Sequence, residues 1–519
     1  MVACNIQFGE LSYDHWNAQM RKVPNALSPL ITIDRKIAKP LHRQLYDAYR
    51  AMIVERSVRS GQQIPSTRAL ATELGISRIP VLTAYAQLLA EGYFEARVGW
   101  GTFVCRNLPD QPAPSDGRDA PSRKARRGSR PVARRLMRLQ SFENAPWLRG
   151  LGAFCVSQPA YDQFPFQIWS SLVRRHCRNQ NASALQYGDP LGSQELREEV
   201  CSYLRTARAV RCDPWQIMIV AGSQQALEIS ARVLLDPGTA VWIEEPGYWM
   251  TRKVLDLAGC RMIPVPVDCE GLDVAVGIKR CPKARAVYVA PSHQYPLGAT
   301  MSASRRLQLL DWAESSNSWI IEDDYDSEYR YDNMPIASLQ GLDRNSRVIY
   351  IGTFSKVLFP SLRTGYMVIP PDLVDRFLEV RRALDLTHPH LYQAVLTDFL
   401  REGHFARHLR RLRLVYSERR TTLVDRLHRE FGSSLEVHGS HAGLHLVVTL
   451  PKGLRDQEIA RQAAQEKLWL TPLSPTYLGR AVRQGFILGF GGTKAADMAH
   501  AVDRLKSVLM PKTGLPQQS

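Results

Sequence analysis

The chain has little that would tie it to an oxidising compartment or a membrane. Its nine cysteines are scattered. None forms a C-x-x-C pair, and no Cys/His group has zinc spacing, which excludes a zinc ribbon and a disulfide scaffold. The thiols are expected to be reduced, and no metal site is expected. No apolar run approaches the roughly 18 residues that a membrane-spanning helix needs. Met1 to Trp16 lacks a basic n-region and a long apolar stretch, so the expectation is no signal peptide and a cytoplasmic location. No period of solenoid length recurs. Acid is scarce: 50 Asp+Glu face 67 Lys+Arg, a net charge of +17. Such a balance suits a polyanion partner, although ordinary surface lysines and arginines would give the same sum.

What is present is enough for several domains. The chain has 519 residues, 45% hydrophobic and 23% charged, which reads as globular. Composition breaks sharply after Arg106. From there to Arg138 the chain is rich in Pro, Ser, Gly and Arg, with only Asp110, Asp116 and Asp119 as acids. A segment of that kind cannot build a core and reads as a basic flexible tether, with DNA phosphate as a second, possible contact. The expected layout is an extension over 1–37, a first domain over 38–105, a linker over 106–140 and a second domain over 141–515.

In the first domain Leu41, Leu45, Ala48, Met52 and Ile53 keep a helical period. Ser66 can cap a short helix bearing Leu70 and Leu74, which Gly75 ends. Ser77 can cap a second helix with Pro80 in its first turn, followed by Val81, Tyr85, Leu88 and Leu89. Tyr93 to Val104 alternates around Gly99 and Gly101 as a short hairpin would. This is the layout of a winged helix-turn-helix, whose second helix enters the major groove by its first residues. The motifs Ile64-Pro-Ser-Thr-Arg-Ala-Leu-Ala, Leu74-Gly-Ile-Ser-Arg, Leu88-Leu-Ala-Glu-Gly-Tyr and Gly99-Trp-Gly-Thr-Phe-Val resemble the GntR family of bacterial regulators. The resemblance implies binding to a double-stranded DNA operator through Ser66, Thr67, Arg68, Ser77, Arg78, Val81, Tyr85, Arg97, Gly99 and Gly101. Ile79-Pro80 departs from the more usual polar pair and leaves the base preference open.

The second domain alternates strands with helical stretches. Strands are expected at Ile217–Val220, Ala240–Ile243, Ala286–Ala290, Trp319–Glu322, Val348–Ile351 and Tyr366–Ile369, which argues for an α/β domain with a largely parallel sheet. A smaller α+β lobe is expected beyond Leu384. The run Thr353-Phe-Ser355-Lys356 with Arg363 seven positions on combines an amine, two hydroxyls and a guanidinium. A Schiff-base cofactor with a phosphate needs that set. Ala221-Gly-Ser-Gln-Gln follows a strand and opens a helix, where backbone N–H groups can cradle a phosphate. Glu322-Asp-Asp-Tyr325 ends a strand; a carboxylate there could pair with a pyridine nitrogen, cap a helix or bind a cation. Tyr248, in Glu245-Pro-Gly-Tyr, could stack on a ring or belong to the core.

Together with Tyr187-Gly-Asp-Pro-Leu-Gly192, these motifs resemble the class I, fold-type I aminotransferases. The resemblance implies pyridoxal 5'-phosphate held by Lys356 as the Schiff base. It places Asp323 at the pyridine nitrogen, Tyr325 at the ring oxygen and Tyr248 over the ring. Ser223, Gln224, Thr353, Ser355 and Arg363 would hold the phosphate, and Tyr187 would come from the partner of a head-to-tail homodimer. The chain reads Tyr295-Pro-Leu-Gly where the enzymes carry Asn-Pro-Thr-Gly, so His293 or Gln294, or neither, stands in for the asparagine. It also reads Gln484-Gly-Phe-Ile-Leu-Gly-Phe where they carry a carboxylate-binding arginine, with Arg480 and Arg483 just upstream.

The two parts in this order resemble the MocR/GabR subfamily. The resemblance implies a cytoplasmic bacterial regulator, at the nucleoid when on its operator, that senses pyridoxal phosphate or an amino compound forming an aldimine with it. Any transamination would be partial or slow. An aminotransferase with an accessory DNA-binding arm is the alternative, and a dead pocket that only dimerises the DNA-binding domains is a third reading.

Overall fold

The computed structural model describes residues 31–106, 150–178, 185–331 and 337–513, with positions 108, 133, 136, 145 and 147. Most of the expected extension and linker lies outside the described residues. The chain divides into two compact units, Met1–Ser129 and Arg130–Ser519.

In the first unit, helix α1 (Leu41–Val54) is followed by α2 (Thr67–Glu73) and α3 (Arg78–Ala90). Ser66 Oγ accepts from the Ala69 N–H and caps α2. Ser77 sits at the N-cap of α3, but its side chain makes no capping bond, unlike the expectation. Strands β1 (Gln63–Ile64), β2 (Phe94–Arg97) and β3 (Gly101–Val104) pair antiparallel in the order β1-β3-β2. Tyr49, Tyr85 and Phe94 meet edge to face at centroid distances of 5.2–5.7 Å and tie α1, α3 and the hairpin into one core. The turn between β2 and β3 needs left-handed backbone at Gly99 (φ +77°), where glycine has no Cβ penalty.

The second unit is built on an eight-stranded sheet. Its strands are β4 (Ile217–Val220), β5 (Ala240–Glu245), β6 (Arg261–Asp268), β7 (Gly271–Leu272), β8 (Ala286–Val289), β9 (Trp319–Asp324), β10 (Val348–Thr353) and β11 (Gly365–Val368). The order is β4-β11-β10-β9-β8-β5-β6-β7. The five central strands from β10 to β6 are parallel, while β11 runs antiparallel to both neighbours. β4, β8, β9, β10 and β11 are buried at every position, as strands covered on both faces must be. This is the expected α/β domain. A four-stranded antiparallel sheet, β12 (Glu436–His438), β13 (His445–Thr449), β14 (Thr471–Pro472) and β15 (Gly485–Gly489), forms the smaller lobe with the 28-residue helix α13 (His404–Phe431). No described helix is long and apolar enough to cross a membrane.

Candidate cofactor cavity and nucleic-acid interface

Parallel strands deliver their carboxyl ends to one edge of a sheet, and ligands bind in the crevice there. Here β5, β8, β9 and β10 end around a cavity of about 320 Å³. The connections after β4 and β10 complete its wall, which includes Gly222, Ser223, Gln224, Tyr248, Asp323, Tyr325, Thr353, Ser355, Lys356 and Arg363. Residues scattered in sequence from Gly222 to Arg363 thus face one space.

The β4–α6 connection shows how the backbone makes the site. Gly222 has φ +90° and opens helix α6 (Ser223–Leu234), so the first N–H groups of α6 point at the cavity. A Cβ on Gly222 would lie 3.5 Å from the Arg363 guanidinium, which is anchored by a 2.7 Å bond to the Ala221 carbonyl. Arg363 itself sits in the left-handed region at φ +48°. That conformation disfavours a side chain with a Cβ, and it holds the guanidinium beside the α6 N-terminus.

Strand alternation sorts the three acids that end β9. Asp323 faces the cavity, and Glu322 and Asp324 face the other way. Glu322 accepts from the Leu339 and Gln340 N–H groups and so caps α10 (Leu339–Leu342). Asp324 pairs with Arg208 at 2.7 Å and accepts from the Tyr350 phenol. Helix capping, left open by the sequence, is therefore the work of Glu322. Asp323 Oδ2 accepts from the Tyr288 phenol, while Oδ1 is buried without a partner among the described residues. Burial pushes the Asp323 carboxyl up to about 6, against the Tyr288 hydrogen bond. Burial pushes the Lys356 ammonium down to about 8, with Asp326 and Asp323 opposing. Tyr248 is pushed up to about 12 by burial.

These groups fit pyridoxal phosphate. A buried acceptor without a donor suits a ring N–H, a poised amine suits an aldehyde, and a helix N-terminus beside a guanidinium suits a phosphate dianion.

Several expected residues fall elsewhere. Neither His293 nor Gln294 lines the cavity. Gln294 is locked in a turn, donating to the Pro246 carbonyl and accepting from the Leu297 N–H. His293 stands behind Tyr325, its Nδ1 3.2 Å from the phenol oxygen. Arg480 and Arg483 are absent from the cavity wall, and Arg483 lines a different hollow with Arg330 and His438. The cause is that β15 begins only at Gly485, which leaves both arginines in the preceding loop. Tyr187 is 84% exposed in the single chain. The sequence reading missed Tyr288 and Glu244, whose carboxyl is pushed up to about 8 by burial. A tyrosine inside the apolar strand Ala286-Val-Tyr-Val was the available signal.

In the first unit, Ser66, Arg68, Ser77, Arg78, Arg97, Gly99 and Gly101 are exposed, and Thr67 is half-buried. Arg78 Nε donates to Thr67 Oγ1 at 3.1 Å, which links the first turns of α2 and α3. Val81 and Tyr85 correct the expectation: both are buried, and the Tyr85 phenol donates to the Pro65 carbonyl. They hold α3 to the core and present nothing to a groove. Ile79, at 73% exposure, and Leu82 occupy the outer face instead.

Fold and cavity together define a fold-type I, aminotransferase-like domain behind a winged helix-turn-helix. Two family descriptions match, "Aminotransferase class I and II" over residues 152–505 and "Bacterial regulatory proteins, gntR family" over 41–104. The probable rhizopine catabolism regulatory protein MocR of Rhizobium meliloti is 38% identical over 481 residues, covering 93% of this chain and 96% of that protein. The pyridoxine biosynthesis transcriptional regulator PdxR of Corynebacterium glutamicum is 30% identical, covering 90% and 94%. Among solved structures, the α-aminoadipate aminotransferase LysN of Thermus thermophilus, complexed with N-(5'-phosphopyridoxyl)-L-leucine, superposes with a TM-score of 0.68 at 28% identity. It covers 73% of this chain and 97% of its own. The chain belongs to the MocR-type transcriptional regulators of the GntR family, which carry an aminotransferase-like domain.

Proposed function

We propose that this regulator binds pyridoxal phosphate in the cavity at Lys356 and that its operator affinity responds to that cofactor, or to an amino compound that condenses with it. The observation that carries the reading is the buried, unpartnered Oδ1 of Asp323 in the same cavity as Lys356 and Arg363. Bound there, pyridoxal phosphate supplies an aldehyde that captures amines and a ring that withdraws electrons from them. Lys356 offers a buried amine that burial has made easier to deprotonate. Asp323 accepts the ring N–H and keeps that proton in place. Ser223, Gln224, Thr353, Ser355 and Arg363 hold the phosphate, Tyr248 covers the ring, and Tyr325 donates to the ring oxygen.

The winged helix binds duplex DNA through the outer face of α3 and the β2–β3 hairpin. Two copies reading two half-sites require a homodimer, and a partner fits the exposed Tyr187, which would complete the site across the subunit boundary. The protein acts in the cytoplasm, on the nucleoid when bound to its operator. The test of the cofactor site is spectroscopic. Purified protein mixed with pyridoxal phosphate should gain a visible absorption band and a borohydride-trapped adduct at Lys356, and both should vanish in Lys356→Ala. An adduct that persists in Lys356→Ala would overturn the assignment.

A further inference from the structure

Behind the cavity wall lies a buried hydrogen-bonded group that the cofactor reading does not use. His293 Nδ1 is 3.0 and 3.2 Å from the two carboxylate oxygens of Asp326, and 3.2 Å from the phenol oxygen of Tyr325. His293 and Asp326 are both buried. The second ring nitrogen of His293, Nε2, is buried and has no partner among the described residues. A Cβ on Gly443, which has φ +71°, would fall 2.1 Å from His293 Cε1 and 2.5 Å from Asp326 Oδ2, so only glycine leaves room for the pair. His445 packs against the ring at 4.8 Å and spends its own Nε2–H on the Pro296 carbonyl.

The tautomer follows from this geometry. A carboxylate only accepts, so Nδ1 must carry the proton that faces Asp326. A proton on Nε2 would be a buried donor with no acceptor, which folded proteins avoid. With the Nδ1 proton held on Asp326, that nitrogen offers Tyr325 no lone pair, so the phenol cannot donate on that side. Its own proton is left to turn toward the cavity, whose wall Tyr325 forms.

We propose that Asp326 and His293 are positioning residues that hold the Tyr325 phenol as a hydrogen-bond donor aimed into the cavity, where it meets the ring oxygen of the cofactor. The proposal rests on the reading that Lys356 holds pyridoxal phosphate. The pair takes over, from behind the phenol, the ring-oxygen tuning that the sequence alone left to His293, Gln294 or neither. Burial opposes an ionised phenol at Tyr325, and the negative or latent negative charge of Asp326, Asp323, Tyr295 and Tyr288 adds to it. The phenol therefore stays protonated and can donate.

The test exploits the difference between the two imidazole nitrogens. Asparagine places an N–H where His293 Nδ1 stands, and glutamine reaches to the place of Nε2. The readout is the pH midpoint of the visible band of the lysine-bound cofactor in the full-length protein. Loss of the phenol donor leaves the ring oxygen more basic, so Tyr325→Phe should raise the midpoint by about one pH unit, a tenfold change in proton affinity. His293→Gln should raise it in the same direction, His293→Asn should stay near the parent, and His293→Gln added to Tyr325→Phe should do nothing more. A pure packing role predicts equal effects of glutamine and asparagine, and full additivity with Tyr325→Phe; either result overturns the proposal. If His293→Gln does not load cofactor, His293→Leu, which also lacks the Nδ1 donor, takes its place: the same rise is expected, and an effect equal to that of asparagine or full additivity with Tyr325→Phe overturns the proposal. A parent protein that never gains a visible band contradicts the cofactor reading itself, which separates the two failures.

Discussion

The Tyr288 phenol donates to Oδ2 of Asp323 and leaves Oδ1 buried with no partner among the described residues. One residue of β8 thus aims one residue of β9, across a parallel pair whose register sets Tyr288 opposite Ile321. Removing the phenol should raise the Asp323 carboxyl further, because the hydrogen bond, ahead of the Lys356 charge, opposes burial. Tyr288→Phe is expected to weaken pyridoxal phosphate binding about tenfold, or about 1.4 kcal/mol. Titration followed by absorbance checks this, and unchanged affinity would show that Asp323 needs no such support.

Capture of the cofactor requires a neutral amine at Lys356. With the ammonium pushed down to about 8 by burial, the neutral fraction reaches one half near pH 8. An ordinary lysine would reach it only at about 10.4. The rate of adduct formation should therefore climb through pH 8 and level off above it. Asp323 opposes this lowering, so Asp323→Asn should move the midpoint further down. Stopped-flow rates across pH 6–10, a range chosen to bracket those values, decide the direction. A midpoint that rises in Asp323→Asn would contradict the electrostatic account.

Arg78 and Val81 are three positions apart on α3 and should fail differently. Arg78→Ala removes an exposed cation and is expected to cost about 1–3 kcal/mol of operator binding if it contacts a base, with a smaller fall in melting temperature than Val81→Ala, because the only bond it loses among the described residues is the exposed one to Thr67. Val81→Ala opens a hole in the core, because Val81 is fully buried. It should cost about 1–3 kcal/mol of folding stability through lost burial and a cavity. Thermal melts and DNA titrations on both variants separate the two roles. An Arg78→Ala protein with full operator affinity would remove Arg78 from the interface.

Gly222 is expected to tolerate no side chain. Alanine there would meet strain at φ +90°, which shifts the turn that carries the Arg363 guanidinium, although its Cβ would only touch that group at 3.5 Å. Gly222→Ala should lose affinity for pyridoxal phosphate while retaining affinity for pyridoxal, which lacks the phosphate. Equal losses for both compounds would place the phosphate elsewhere.

Most of this arrangement was legible in the sequence for one physical reason. Buried parallel strands are short apolar runs, and the loops that follow them must carry glycine, proline and polar groups. That made β4, β8, β9 and β10 visible, together with Ser223, Asp323 and Lys356 at their ends. What stayed hidden depends on side-chain direction. The three acids ending β9 look alike in sequence, yet alternation sends only Asp323 to the cavity while Glu322 caps α10. Helix α3 is apolar on both faces, with Ile79 and Leu82 outside and Val81, Ala84, Tyr85 and Leu88 inside. The spacing of Val81, Tyr85 and Leu88 already marked a core stripe, and the family resemblance drew the first two toward DNA. The bond from His293 to Asp326 joins residues 33 apart and has no signature in spacing.

The central claim is that occupancy of Lys356 changes what the winged helix does on DNA, and a ligand can do this only if it binds two states of the protein differently. The most direct measurement is operator affinity on the upstream DNA of the protein's own gene. It is made for the parent and for Lys356→Ala, each with and without pyridoxal phosphate and candidate amino acids. A shift of about fivefold or more in the parent, near the low end of typical coupling energies, with no shift in Lys356→Ala, is the predicted result. Identical affinity in all conditions, or the same shift without the lysine, would contradict it. So would multiple-turnover transamination at about 1–1000 per second, the range of working enzymes, with no effect on DNA.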